Sequence, residues 1–282
     1  MSLRLAHRTL ALDGPPCMMG IVNVTPDSFY DQGLTATTEA AVARGIELAA
    51  AGAGIIDVGG MTAQPGRVLS QADEIARVEP VVSALRAALD LPISIDTYRA
   101  GVAAAALRAG ADIVNDHTGL SDPDLAAAVA DQRGGLVVTD LALAPKQAQT
   151  GRHRVAVDAI AAFLVERARA AEAAGVAADA ILVDPGLGFG KDTVTDLATL
   201  RELPRLAALG YPLLLAPSHK EVTAEPLGLP ESALEGTAAV VAVAAYLGAS
   251  VLRVHDLPFM RHVATMGWLI GSQAAGTDRS AS

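Results

Sequence analysis

The 282-residue chain has one cysteine, few aromatic residues and few charges, and each shortage excludes a class of protein. Because Cys17 has no second cysteine to pair with, no disulfide can form within the chain, and a reducing cytoplasm fits. Only 3% of residues are aromatic, so aliphatic side chains must fill the interior. The formal net charge of −10 argues against nucleic acid as a general partner, since phosphate binding needs a basic surface. A small anionic ligand needs only a few local cations and stays compatible.

The chain also has no long apolar segment. Its apolar runs are short and interrupted by charges, so no membrane span and no membrane partner are expected. Residues 1–12 alternate charged and apolar residues and lack a signal-peptide core, which predicts a cytoplasmic protein. In contrast, 51% of residues are hydrophobic, which predicts a large packed core. The length suits one α/β barrel, which typically needs about 250 residues.

Eight apolar runs along the chain each end in residues that can do chemistry. Such runs are typical of parallel strands, and the carboxyl ends of the strands of an α/β barrel meet at one face. The polar residues that follow the runs are Asn23, Asp57, Asp96, Asn115 with Asp116, Thr139 with Asp140, Asp184, Ser218 with His219 and Lys220, and Arg253 with His255. The pattern predicts an active site at that face.

Helical segments fall between the runs, at 38–51, 70–89, 99–109, 123–131, 158–174, 194–208, 233–247 and 259–270. Eight strand–helix units favour a single-domain α/β fold, the (β/α)8 TIM barrel, over a doubly wound open sheet. Four helices are followed by glycine, which closes a helix cheaply in the left-handed conformation, at Gly52, Gly110, Gly175 and Gly248. We expect a barrel domain at 1–272, an extended segment or hairpin beneath it at 4–16, and a flexible tail at 273–282.

Several strand ends carry groups that can read the edge of a heterocycle. Asp96 and Asp184 can accept hydrogen bonds from ring N–H and amino groups, while Asn115 can donate and accept in the same plane. Arg253 and His255 stand two residues apart on a strand, project the same way and suit an anion pocket. Each residue alone is more often a turn or surface residue, so the constellation carries the prediction.

Two loops at this face have alternative interpretations. Residues 23–33 form a long polar loop that suits a mobile lid, although Pro26 equally suits an ordinary stiff turn. Gly59 and Gly60 either let the backbone approach a ligand closely or relieve crowding at the strand end. The glycine-rich stretch at 184–191 lacks the Gly-Lys-Ser/Thr ending of a phosphate-binding P-loop.

Six motifs, taken together, resemble dihydropteroate synthase. They are Asn23-Val24-Thr25-Pro26-Asp27-Ser28-Phe29, Asp57-Val58-Gly59-Gly60, Ser94-Ile95-Asp96-Thr97, Asn115-Asp116, Asp184-Pro185-Gly186-Leu187-Gly188-Phe189-Gly190-Lys191 and Arg253-Val254-His255-Asp256. They occur in that family's order between about 18 and 266. The resemblance implies a TIM barrel that joins p-aminobenzoate to a dihydropterin methyl diphosphate in folate biosynthesis, releases diphosphate, uses Mg²⁺ and forms a homodimer.

The resemblance also implies roles for particular residues. Those implied to hold the pterin are Asp96, Asn115, Asp184 and Lys220. Those implied to bind the diphosphate are His255, Arg253, which also stacks on the ring, and Asn23, which also coordinates magnesium. Those implied to border p-aminobenzoate are Ser218, Pro65 and Phe29. The implied catalytic residues, which place charge around the leaving diphosphate and the pterin methyl cation, are Asp31, Asp96, Lys220, Arg253 and His255.

Three loops depart from the family's pattern. Where the family usually has Gly-Gly-Glu-Ser-Thr-Arg-Pro-Gly, residues 59–66 carry Ala63 and Gln64 in place of a hydroxyl and a cation. The family's Ser-Arg-Lys-Ser-Phe becomes Ser-His-Lys-Glu-Val at 218–222, and a Met-His-Met sequence becomes Thr-Asp-Leu at 139–141. Glu221 and Asp140 therefore add negative charge where an anionic benzoate should bind. We expect a divergent paralogue that binds diphosphate and p-aminobenzoate weakly.

Three functions stay open at this point. They are a dihydropteroate synthase or close transferase, a pterin-binding paralogue with little or no synthase activity, and a folate or corrinoid methyltransferase of the related barrel type. The motif at 23–29 favours the first over the third, while Ala63, Gln64 and Glu221 keep the second open. Segments 233–247 and 259–270 are apolar beyond one stripe, which adds to the expectation of a homodimer.

Overall fold

A computed structural model describes residues 1–24, 37–61, 68–141, 152–231 and 233–276, with side chains described up to 272. Its strands are β1 (Ser2–Arg4), β2 (Thr9–Ala11), β3 (Cys17–Asn23), β4 (Ile55–Gly59), β5 (Ile93–Asp96), β6 (Ile113–Asp116), β7 (Gly135–Thr139), β8 (Ile181–Asp184), β9 (Leu214–Leu215) and β10 (Val251–Val254). Strands β3 to β10 form one parallel sheet in the order β8-β7-β6-β5-β4-β3-β10-β9. A bridge between Val183 and Leu213 brings its two edges together, so the sheet is a nearly closed barrel.

Helices follow the barrel strands and surround them. They are α1 (Thr38–Ala50), α2 (Gln71–Ala88), α3 (Ala100–Ala109), α4 (Leu125–Asp131), α5 (Val157–Ala173), α6 (Thr193–Arg201), α7 (Leu203–Ala207), α8 (Glu221–Ala224), α9 (Leu234–Tyr246) and α10 (Leu257–Gly276). The TIM barrel and the single domain predicted from the sequence are confirmed. No helix in the described ranges is long and apolar enough to cross a membrane.

Three details of the helix prediction were wrong. The single helix predicted at 194–208 is two helices, because Pro204 lacks an N–H and its ring would clash with the carbonyl one turn earlier. The four-residue α8 was not predicted, since so short a segment leaves no apolar period. The last helix also runs on to Gly276 instead of ending at 270. The domain boundary at 272 and the flexibility of the tail stay predictions.

The residues that the sequence predicts at helix ends adopt the expected conformations and contacts. The glycines after four helices all adopt positive φ, at 98°, 113°, 104° and 99° for Gly52, Gly110, Gly175 and Gly248. The hydroxyl of Ser70 accepts the backbone N–H of Asp73 at 3.1 Å and donates to the Asp73 carboxylate at 2.8 Å. These contacts fix where α2 begins and where each of the four βα units turns back to the barrel.

Two apolar layers make the core. The larger layer lies between the strands and the helices, while the smaller one fills the barrel itself. The interior residues contributed by seven strands are Met19, Ile55, Ile113, Val137, Leu182, Leu214 and Val251. Because side chains alternate along a strand, the next inward positions lie two residues further on. Those positions are Ile21, Asp57, Asn115, Thr139, Asp184, Ala216 and Arg253.

The antiparallel β1–β2 hairpin closes the amino end of the barrel. Leu3, Leu5 and Leu12 from this segment belong to the interior apolar layer and are at most 8% exposed. The hairpin expected beneath the barrel is therefore present. One end of the barrel is sealed by leucines, and the polar layer lies toward the other end.

Candidate active site

The centre of the polar layer is the guanidinium of Arg253 on β10. Its Nε donates to Asp57 Oδ2 at 2.6 Å, and its Nη2 donates to Asp96 Oδ2 at 2.9 Å. The same Asp57 oxygen also accepts from Asn115 Nδ2 at 3.2 Å. Asp57 is fully buried on the inner face of β4, where it fixes both the Arg253 guanidinium and the Asn115 amide in position. Four strands, β4, β5, β6 and β10, thus share one hydrogen-bonded network.

His117, just after β6, extends this network. Its Nδ1 lies 2.9 Å from Asp96 Oδ1. Burial opposes charge on both groups, but their hydrogen bond and mutual attraction outweigh it, so the pKa of His117 is raised and that of Asp96 is lowered. The imidazole stacks on Phe189 with centroids 6.1 Å apart and meets the ring of Tyr98 edge-on at 5.9 Å. Hydrogen bonding and aromatic contacts therefore hold this ring from three sides.

Asp184 and Lys220 form the opposite wall. Asp184 Oδ1 accepts the backbone N–H of Gly186 at 2.8 Å, and burial raises the pKa of this carboxyl group despite the nearby charge of Lys220. Lys220 Nζ donates to the carbonyl of Leu187 and lies 4.4 Å from the centroid of Phe189. Burial lowers the pKa of Lys220 to about 8. A carboxyl group and an amine, both with perturbed pKa values, therefore face the same space, as is common at functional sites.

Asp140 does not carry an uncompensated charge, which corrects the expectation from the sequence. Lys191 is 2% exposed, and its Nζ lies 3.2 Å from Asp140 Oδ2. The same ammonium donates to the carbonyls of Asp140 at 2.8 Å and Gly186 at 3.1 Å. The pair ties the loop after β7 to the loop after β8, so Asp140 adds a structural link and little net charge.

Glu221 is compensated in a similar way. Its carboxylate forms an ion pair with Arg152, which also lies 2.9 Å from Glu225. The Glu221 side chain is 39% exposed, so solvent screens the charge further. The negative potential expected from Glu221 is therefore smaller than the sequence alone suggested.

The outer rim of the mouth contains two histidines. His255 Nδ1 lies 3.2 Å from Ser218 Oγ, and the ring of His219 lies 5.2 Å from that of His255. His219 Nε2 lies 2.7 Å from Asp256 Oδ2. Burial, followed by the charge of Arg253, lowers the pKa of His255 to about 3. His255 is therefore neutral near pH 7 and offers hydrogen bonding to an anion, whereas Arg253 offers a full charge.

The paired glycines after β4 serve different purposes. A Cβ on Gly60 would lie 2.5 Å from Val78 Cγ1, so this glycine relieves crowding against α2. A Cβ on Gly59 would meet Asn23 Oδ1 at 3.5 Å and Asp96 Cβ at 3.7 Å, which is ordinary contact. A Cβ would therefore fit at Gly59 without a clash. Relief of crowding holds for Gly60, and close approach of a ligand to this turn stays a prediction.

The described candidate residues all lie at or just beyond the carboxyl ends of the barrel strands: Asn23, Asp96, Asn115, Asp184, Ser218, Lys220, Arg253 and His255. Phe29, Asp31 and Pro65 lie outside the described residues, and their roles stay predictions. Sequence reasoning named no role for Asp57, His117, Phe189 or Lys191. The inward register two residues after Ile55 identifies Asp57, and the position directly after Asn115-Asp116 identifies His117.

A family model described as pterin binding enzyme matches residues 19–255. Those residues contain the barrel strands, apart from the first two residues of β3, and the whole inner network. This chain belongs to the dihydropteroate synthase family. It is 41% identical over 274 residues to the inactive dihydropteroate synthase 2 of Mycobacterium leprae, covering 94% of each chain. It is also 41% identical over 251 residues to the dihydropteroate synthase of Streptococcus pyogenes, covering 87% of this chain and 92% of that protein.

A solved dihydropteroate synthase extends the comparison to the fold. The enzyme from Xanthomonas albilineans in complex with 7,8-dihydropteroate has a TM-score of 0.81 and 41% identity, and the match covers 98% of this chain and 99% of that chain. The family and its dihydropteroate synthase-like character are therefore established for this barrel. Family members named as synthases and as inactive proteins are equally similar to it, so identity alone does not decide whether it turns over substrate.

Proposed function

We propose that this barrel binds a dihydropterin methyl diphosphate at its mouth and transfers the pterin methyl group to an arylamine, at a rate below that of a standard dihydropteroate synthase. The observation that carries the proposal is the convergence of Asp96, Asn115, Asp184, Lys220 and Arg253 at the carboxyl ends of the barrel strands, where Arg253 interacts electrostatically with Asp184 and Lys220. In the proposed complex, Asp184 and Asp96 accept from the ring N–H and amino groups, while Lys220 donates to a ring acceptor.

The proposed chemistry depends on where these residues place charge. The C–O bond to the diphosphate breaks and the diphosphate leaves with the electron pair. The arylamine nitrogen then forms the new C–N bond and loses a proton to water. Arg253, held by Asp57 and Asp96, presents a fixed positive charge to the leaving group. Asp96 and Asp184 favour the transient positive charge on the pterin methyl carbon.

Asn23 is the proposed protein ligand of Mg²⁺. The amide oxygen of Asn23 is the hard donor that this ion prefers, and Mg²⁺ commonly keeps waters and substrate phosphate oxygens as its other ligands. Within the described ranges, no three His, Cys, Asp or Glu side chains are grouped as a metal site. The donors thus fit an ion that arrives with the diphosphate, whose charge it would neutralise.

The proposal of slow turnover rests on two features, the residue at position 64 and the charge state of His255. Gln64 cannot supply the charge that the family's arginine brings, and charge-assisted hydrogen bonds are among the stronger ones. The neutral state of His255 leaves Arg253 as the main cation for the diphosphate. The same facts, with a 41% identical relative named inactive, support a second candidate, a pterin-binding paralogue without synthase activity.

The deciding experiment is a titration with dihydropterin methyl diphosphate, with and without p-aminobenzoate, that follows diphosphate release. Release that requires the arylamine supports the transferase. Tight pterin binding without release supports the paralogue. No binding of the pterin would refute both. Transfer of a methyl group from a methylated folate would favour the third function, a folate or corrinoid methyltransferase.

A homodimer is part of the same proposal. Helices α9 and α10 pack on each other and expose large apolar side chains at Val243, Tyr246, Phe259, Met266, Leu269 and Ile270, each at least 42% exposed. Such a patch on a water-facing surface commonly marks a protein interface. Light scattering should give twice the mass of the chain at micromolar concentration, and a monomer there would contradict the dimer.

A further inference from the structure

The Asp96 carboxylate is already engaged by two donors before any ligand enters. Oδ2 accepts from Arg253 Nη2 and Oδ1 faces His117 Nδ1, each at 2.9 Å. Since the pKa of Asp96 is lowered, through His117 and Arg253 acting against burial, this carboxylate is ionised and only accepts. The proton of a neutral His117 must therefore reside on Nδ1, and Nε2 is its acceptor atom. This tautomer of His117 is assigned from its hydrogen-bond partner, the ionised Asp96.

The position of His117 is set by its neighbours. Asp116 Oδ1 accepts from the backbone N–H of Thr118 at 2.8 Å and from its hydroxyl at 2.6 Å, while Oδ2 accepts the backbone N–H of Leu120 at 2.5 Å. This turn fixes the backbone on which His117 stands. With its ring stacked on Phe189, the imidazole cannot leave Asp96 without breaking the stack. The ring is therefore built into the site.

The charge of His117 decides how much negative charge Asp96 can offer. A neutral imidazole donates one hydrogen bond and leaves the carboxylate charge available to a ligand. An imidazolium forms an ion pair with Asp96 and presents a second donor at Nε2, where it repels any positive charge that develops on a nearby ring. The charged or titratable groups that face His117 are Asp96 from β5, Asp116 from β6, Arg253 from β10 and Tyr98 after β5, with Lys220 on Phe189.

We propose that His117 is a positioning residue that orients Asp96 and, by its protonation state, controls how well Asp96 holds the pterin. This rests on the proposed function, because Asp96 acts on the pterin only if the pterin binds here. His117 in its neutral form is the binding-competent state. Burial opposes the charge of His117, but the hydrogen bond and the charge of Asp96 outweigh burial, so the pKa of His117 is raised above its usual value.

The test uses 6-hydroxymethyl-7,8-dihydropterin, which carries no phosphate that could titrate. Its dissociation constant is measured from about pH 5.5 to about pH 9 for the wild type and for His117→Asn, whose side-chain amide can still donate to Asp96 but cannot be charged. In the wild type, affinity should rise with pH by up to about tenfold for each unit below the His117 midpoint. In His117→Asn this loss of affinity at acidic pH, the acidic limb of the curve, should move to lower pH. The affinity of the variant near pH 8 should stay within about twofold of the wild-type value.

Two further measurements make the outcome decisive. His7→Asn, at an exposed position in the hairpin at the opposite end of the barrel, should keep the wild-type limb. An NMR titration of the His117 ring should show that saturating pterin lowers its midpoint, because the coupling is reciprocal. An unchanged midpoint, or an acidic limb that survives in His117→Asn, would overturn the role of His117 and leave the pterin site standing. A wild type that binds no pterin at any pH would refute the proposed function, and the role of His117 with it.

Discussion

The inner layer of the mouth and its outer rim are built differently. The inner layer uses short side chains on neighbouring strands, such as Asp57, Asp96 and Asn115, whose hydrogen bonds are buried inside the barrel. The rim uses longer side chains from a loop and from the start of a short helix, such as Arg152 and Glu221, which are 34% and 39% exposed. Strand register leaves the inner layer little freedom, whereas loops accept substitutions at small cost. Among the departures from the family's pattern that the structure describes, Glu221 lies at this rim, whereas Asp140 is buried and paired with Lys191.

The largest expected effect concerns the buried ion pair that joins the loops after β7 and β8. Replacing Lys191 with Met leaves the Asp140 carboxylate buried without its partner, which should lower the free energy of unfolding by about 3–5 kcal/mol. Urea unfolding at fixed protein concentration measures this. The double variant Asp140→Asn, Lys191→Met should recover part of the loss, because no unpaired charge remains. Equal stability of wild type and Lys191→Met would show that the ion pair of Asp140 with Lys191 does not stabilise the fold.

Removal of an inner-layer acceptor should come next. Asp184→Ala leaves the pterin's ring N–H and amino group without a buried partner, at a cost of about 1–3 kcal/mol or more. Calorimetry should show pterin affinity weakened by at least about tenfold. Glu221→Ser is the matched change at the rim, and it should leave pterin affinity within about twofold, since an exposed ion pair contributes little. Similar losses of pterin affinity in both variants would show that the inner layer and the rim contribute equally to pterin binding.

Restoring the family's usual loop residues should raise turnover. The combined change Ala63→Thr, Gln64→Arg and Glu221→Ser should increase diphosphate release with p-aminobenzoate by about tenfold or more, because hydrogen bonds to a charged group contribute about 1.5–3 kcal/mol. Since Arg152 already compensates Glu221, most of the gain should come from Gln64→Arg alone. Steady-state kinetics on the single and triple variants separate these contributions. No gain in either would show that the loop changes are neutral.

The smallest expected effect is the alkaline dependence of pterin binding. Lys220 has a pKa of about 8, so it is a cationic donor below that pH and loses its charge above it. Affinity should therefore fall by up to about tenfold per unit above pH 8, until the pKa of Lys220 in the complex is reached. Lys220→Met should bind more weakly throughout and show a flat alkaline limb. If affinity still falls above pH 8 in this variant, the titrating group is not Lys220.

Much of the fold followed from the sequence because apolar runs and helical periods recur eight times. Strand ends such as Ile95-Asp96 mark the active face without any knowledge of tertiary contacts. The ion pair of Asp140 with Lys191 could not be predicted in this way, since its members stand 51 residues apart and meet only when two loops pack together. The same holds for Arg152 and Glu221. Charge at the mouth therefore had to be read from the structure.

His117 illustrates a different kind of omission. It stands directly after Asn115-Asp116 at a strand end, so its position was readable, but its partner Asp96 lies on the neighbouring strand. The stack on Phe189 depends on the loop after β8, which no periodic pattern describes. The roles of His117 and Lys191 depend on contacts between loops and were therefore not found from the sequence. Asp57 was also given no role, although its inward register on β4 marks it.

The most direct test compares this protein with the Streptococcus pyogenes synthase in two measurements on the same samples. Calorimetry gives the affinity for dihydropterin methyl diphosphate, and diphosphate release gives kcat/KM for p-aminobenzoate. The account predicts that the pterin affinity of the two proteins differs by less than about a hundredfold, the loss expected from Gln64 alone, while this protein's kcat/KM is lower by a larger factor. Equal kcat/KM values, or a wild type that binds no pterin, would contradict an intact inner layer with an altered rim.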